Sequence, residues 1–146
     1  MDGRGKPGSV GGGDAGHADM KTRWLDRRIA APGPYLALCL SEAEFKAATA
    51  HLKAGQDVAW IKSPHSQATA HTFDGAHGLT VVVCLRDWQG RNPVEVAGLL
   101  VHEAVHAWQQ YADHIGEHQP GVEQEAYAIQ SIAQELMAEF ARRVLA

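Results

Sequence analysis

One segment constrains more than any other what this chain can be built around. Between Asn92 and Gly116 runs NPVEVAGLLVHEAVHAWQQYADHIG. It announces a helix three ways: Asn at the N-cap, Pro in the first turn, and Glu95 three residues after the cap, as in a capping box. The helix is predicted to run to about His114 and to end at Gly116. Inside it, LLVHEAVHAWQ sets two imidazoles and a carboxylate into an otherwise apolar run. Two histidines one turn apart are poor packing material for a greasy helix, so the segment asks for a ligand.

The rest of the chain reads as housing for that helix. Residues 1–20 hold seven glycines and almost nothing that can be buried, which predicts a flexible tail ahead of a single domain over residues 21–146. Folded structure is expected from near Trp24 or Leu25. Tyr35 to Leu40 (YLALCL) has strand length and composition. Ser41 with Glu44 predicts a capped helix from Glu42 to Ala54, stopping at Gly55. Strands are predicted at Asp57–Ile61, Thr69–Phe73 and Leu79–Leu85, with Asp74-Gly75 beginning the turn between the last two. After Pro120-Gly121 a final helix is predicted from about Val122 to Val144, its apolar face formed by Val122, Ala126, Ile129, Ala133, Leu136 and Phe140. The expected fold class is α+β, a small antiparallel sheet packed on the His-bearing helix and the C-terminal helix.

Composition narrows the function. The net charge of −4 leaves no basic stripe to neutralise phosphates, so no nucleic-acid partner is expected. No run approaches the roughly 20 apolar residues that span a bilayer, and the N-terminus lacks the apolar stretch of a secretory signal. A cytoplasmic location without membrane association is the expectation. Cys39 and Cys84 both lie in apolar runs and read as buried free thiols. They lack CxxC spacing, so a metal would have to be held by His and carboxylate.

Residues 102–106 spell HExxH. On a helix, positions i and i+4 share a face, so His102 and His106 can hold one ion, and Zn²⁺ is the ion expected. Glu103 is rotated by roughly 100° from His102, better placed to act as general base on a water activated by the ion than to ligate it. A third ligand is needed. The longer HExxHxxGxxH pattern is closed, because Gln109 and Ala112 stand where Gly and His would be. His114 lies roughly 12 Å along the helix from His106, too far to share the ion; His118 follows a break and stays a candidate. In VEQEAYAIQ, Glu125 falls nearer the apolar face of the last helix than Glu123 does, and is preferred as the ligand.

HExxH on one helix and a glutamate at the start of the next resemble the gluzincin metallopeptidases, the group that includes thermolysin. His106 and Glu125 are separated by nineteen positions, close to the spacing of about twenty in that group. HEAVHAWQ and EAYAIQ further resemble small HExxH proteins of phages and prophages. The resemblance covers about residues 79–140 and is specific at 102–106 and 125–127. It implies a zincin-like fold, with an edge strand lining the cleft and pairing with an extended peptide. This chain departs from many relatives in having Tyr127 and Ile129, not Asp, four residues beyond Glu123 and Glu125.

Histidines 65, 71 and 77 recur through SPHSQATAHTFDGAH. Of these, His71 is the candidate to face a tetrahedral oxyanion from a strand near the cleft; Tyr127 is a second candidate donor. Arg142-Arg143 reads as a favourable charge at a helix end. The expected function is a zinc-dependent peptidase acting on a peptide or protein substrate, with Glu103 as general base. The alternative is a non-catalytic protein, structural or phage-associated, that keeps zinc as a staple.

Overall fold

The computed structural model describes residues 33–54 and 57–145. The expected tail at residues 1–20, the expected start near Trp24 and the predicted helix stop at Gly55 lie outside the described residues. The elements are β1 (Tyr35–Cys39), α1 (Glu42–His51), β2 (Ala68–Gly75), β3 (Gly78–Leu85), α2 (Pro93–His114) and α3 (Val122–Phe140), with a π-helical turn at Ala141–Leu145. The fold is α+β, a three-stranded sheet with three helices. No helix among the described residues is long and apolar enough to cross a membrane.

The sheet has the order β1-β3-β2 and is mixed. Strands β2 and β3 pair antiparallel through the two-residue loop Ala76-His77, with Gly75 opposite Gly78, whereas β1 lies parallel to β3. This corrects the all-antiparallel expectation. A parallel neighbour requires a crossover of a dozen or more residues, and residues 40–77, which contain α1 and β2, supply it between β1 and β3.

The predicted strand at Asp57–Ile61 is not formed; the segment is irregular. Side chains satisfy its backbone where a ladder would otherwise be needed. The Trp60 carbonyl accepts a hydrogen bond from His71 Nε2 (2.9 Å), and the Lys62 amide donates to Thr69 Oγ1 (3.2 Å). Ile61 is buried as the apolar anchor of this stretch.

Local signals act as read at most helix starts. Ser41 Oγ accepts from the Glu44 amide (3.2 Å), while the Glu44 carboxylate accepts from the Leu40 amide (2.9 Å), one residue before the cap. Asn92 Oδ1 accepts from the Val94 amide (2.9 Å). Glu95 does not close a box: its carboxylate lies 3.6 Å from Arg91 Nε. Helix α2 stops at Gly116, whose φ of 75° is the left-handed conformation that suits glycine, and the Glu117 amide returns to the Ala112 carbonyl (2.8 Å). Helix α1 stops earlier than predicted. Lys53 takes the left-handed position with φ 52°, and the Ala54 amide bonds the Thr49 carbonyl (3.0 Å).

Helices α2 and α3 cover one face of the sheet through Leu100, Ala104, Trp108, Leu136 and Phe140, packed with Leu79, Val81 and Val83. The other face packs under α1 through Phe45, Ile61, Val82 and the two cysteines. Cys39 and Cys84 are register partners on β1 and β3, buried and free. The Cys84 thiol is pushed far up by its hydrogen bond to Cys39 and by burial, and stays protonated. The first turns of α3 stand clear of the core: Val122 is 83% exposed and Ala126 is exposed, so burial begins near Ala128. Arg143 does more than sit at a helix end. It donates to the Leu38 carbonyl (3.2 Å) and pairs with the Glu44 carboxylate, tying the C-terminus to β1 and α1.

Candidate metal centre

Helical phase divides α2 into two working faces. Leu100, Ala104, Ala107 and Trp108 turn into the core, which leaves His102 and His106 exposed beside them. Their Nε2 atoms converge to 3.1 Å, with ring centroids 4.8 Å apart. Two imidazole nitrogens bound about 2.0–2.1 Å from one tetrahedral zinc stand about 3.3 Å from each other. The pair therefore fits half a zinc site as it stands. His106 Nδ1 lies 3.1 Å from Gln109 Oε1. With the proton on Nδ1 this contact leaves the lone pair on Nε2, the orientation a metal-ligating imidazole needs. Gln109 was not singled out from sequence, although its place three residues after His106 on the same helix was a sufficient signal.

Glu103 points between α2 and β2 and is 5% exposed. Burial pushes its carboxyl above the usual carboxylate range, opposed by the positive potential of His102 and His106, by a hydrogen bond from the Ala70 amide, and by Lys62. Ala70 is on β2, an edge strand. Its carbonyl accepts from Lys62 Nζ (3.3 Å), so both of its backbone groups point away from β3. Backbone direction alternates along a strand, so those of Ala68 and Thr72 point outward as well. Helix α2, the β2 edge and the 62–66 segment enclose a cavity of about 410 Å³, lined by Lys62, Thr69, Thr72, His102, Glu103 and His106 among others. Lys62 escaped sequence analysis because it lies in an irregular segment with no periodicity to orient it.

The other expected site residues are not brought to this cavity. Glu125 reaches α2, but on its core side, where its Oε2 accepts from the buried Trp108 Nε1 (3.0 Å). Glu125 itself is exposed, as are Glu123 and His118. Among the described residues no three His, Cys, Asp or Glu side chains are gathered into a metal-holding group. Tyr127 is 65% exposed and lines no part of the cavity. His71 lies on the opposite face of the sheet, stacked on Phe45 with centroids 4.6 Å apart. His77 is exposed in the β2–β3 loop, His65 is exposed, and His114 lies 3.7 Å from Asp74.

His71 has its own consequence for stability. It is 3% exposed, and burial lowers its pKa from 6.5, against the bond to the Trp60 carbonyl and with the help of Lys62. The unfolded chain takes up that proton near the usual value and the folded chain does not. Stability is therefore present above about pH 6.5 and is lost as pH falls below it toward the folded value. In urea titrations the advantage of wild type over His71→Gln should shrink between pH 7.5 and pH 5. An advantage that stays constant would contradict this.

Comparison with protein-family models, with curated proteins and with solved structures finds no match to this chain.

Proposed function

We propose that the chain is a zinc-dependent peptidase of the minimal, zincin-like type. The observation that carries the reading is the convergence of His102 and His106 Nε2 at 3.1 Å beside a buried Glu103, against an edge strand. A zinc ion held there would supply a Lewis acid that polarises the scissile carbonyl and acidifies the attacking water. Glu103 takes the proton from that water and delivers it to the leaving amine. The outward backbone groups of Ala68 and Thr72 offer pairing positions to an extended substrate chain.

Glu125 is proposed as the third ligand. Helix phase and its separation from His106 support it over Glu123. Its carboxylate is held on Trp108, away from the two imidazoles, so ligation requires it to leave that indole. In a competition titration with a chromophoric chelator, Glu125→Gln should lower zinc affinity steeply and Glu123→Gln far less. Equal affinity in Glu125→Gln and wild type would move the third ligand elsewhere.

The activity itself is tested by incubating the protein with a mixture of unmodified peptides and following new termini by mass spectrometry. Cleavage should stop with a zinc chelator and return on adding zinc. Cleavage indifferent to the chelator, or none from zinc-loaded protein, would refute the peptidase reading.

A further inference from the structure

The walls of the cavity say what could occupy it. Apart from the site residues, the lining consists of Lys62, Ser66, Ala68, Thr69, Ala70, Thr72 and Gln110. The apolar members are two alanines, so the cavity offers no greasy recess for a large hydrophobic side chain. What it offers is a cation. The Lys62 backbone is fixed, with Ile61 buried beside it and its own amide on Thr69 Oγ1 (3.2 Å). Its ammonium is exposed and rests on one 3.3 Å bond to the Ala70 carbonyl. Its charge is felt by Glu103, but its own hydrogen bond goes to the carbonyl and not to that carboxylate. The one carboxylate that lines the cavity is Glu103, already committed to the Ala70 amide and flanked by both histidines. Lys62 thus has no further carboxylate in the lining to meet.

We propose that Lys62 reads a carboxylate on the ligand, so that this site prefers extended peptides carrying an acidic side chain or a free C-terminal carboxylate. The inference rests on the peptidase reading for its site and deepens it by naming the substrate class. Engagement adds a charged acceptor at Nζ, which makes a stronger hydrogen bond than a neutral one. The ammonium carries three donors and spends one on the Ala70 carbonyl, so it can take the carboxylate without giving up that bond.

The test uses full-length Glu103→Gln protein, loaded with zinc and unable to turn peptides over. The probes are acetylated hexa-alanine amides carrying one Glu at each interior position, their Gln counterparts, and acetyl-hexa-alanine with a free C-terminus. Affinities are read by isothermal titration calorimetry. At least one acidic probe should bind about tenfold or more tighter than its neutral counterpart, as one charge-assisted hydrogen bond implies. Whether an interior-Glu probe or the free-acid probe shows the preference identifies the source of the carboxylate. Adding Lys62→Met should bring the ratio to about one, and Lys62→Arg should retain a preference. Circular dichroism and zinc content check that both variants fold. Equal affinity for acidic and neutral probes, or a preference that survives Lys62→Met, would overturn the inference while leaving the peptidase reading in place. Acid preference in a protein whose wild type cleaves nothing would refute the peptidase and keep the ligand class. Failure of every probe to bind would overturn the inference, and the cleavage assay alone decides the peptidase reading.

Discussion

Glu103→Gln is expected to lower peptide hydrolysis by about 10²- to 10⁴-fold, the usual worth of a positioned general base, while bound zinc stays at the wild-type level. The substitution keeps the shape of a side chain that is 5% exposed and leaves His102 and His106 untouched. What it removes is the carboxylate's capacity to accept and return a proton. Paired assays of hydrolysis and metal content on the same preparations check this. Were zinc only a staple for a non-catalytic assembly protein, wild type and variant would be equally inert and equally stable to unfolding by metal removal. Parallel loss of zinc and activity would instead make Glu103 a ligand, contrary to the role assigned to it.

The second large effect is structural. Leu100 is fully buried on α2, less than one turn before His102, where the helix presses on the sheet and on α3. Leu100→Ala removes three buried carbons and leaves a cavity that a helix pinned at Asn92 and Gly116 cannot readily close. A destabilisation of about 2–5 kcal/mol is expected in urea unfolding followed by circular dichroism. A loss below about 1 kcal/mol would mean that α2 is not seated in the core as described. Because the same helix carries both histidines, the variant should also bind zinc more weakly than wild type.

What could be read from the sequence was what local physics decides. The start and end of α2 follow from Asn92, Pro93 and Gly116, each acting within one turn. The shared face of His102 and His106 follows from helical period alone, and their nitrogens do converge. Gln109 obeys the same period, three residues after His106 on the same face.

What could not be read depends on how distant segments meet. Central strand β3 is buried on both faces from Val81 to Leu85, so LTVVVCL has no alternation to say which face belongs to α2. His71 was therefore assigned to the cleft when it lies beneath α1. The direction of β1 is set by the crossover through α1, which no residue in β1 encodes. Asp57–Ile61 has strand composition, but the Trp60 carbonyl is met by the His71 imidazole and the Lys62 amide, just past the segment, by the Thr69 hydroxyl, both available only once β2 is in place. Glu125 points toward α2 as helix phase suggested, yet it meets the indole of Trp108 on the core side and not the histidines on the outer one.

The central claim is that His102 and His106 together hold a zinc ion, and the metal content of purified full-length protein tests it most directly. Elemental analysis of a chelator-free preparation should find about one zinc per chain in wild type and essentially none in His102→Ala or His106→Ala, because neither imidazole holds the ion without its partner. Wild-type protein free of zinc after equilibration with the metal, or zinc content unchanged by both substitutions, would contradict the account.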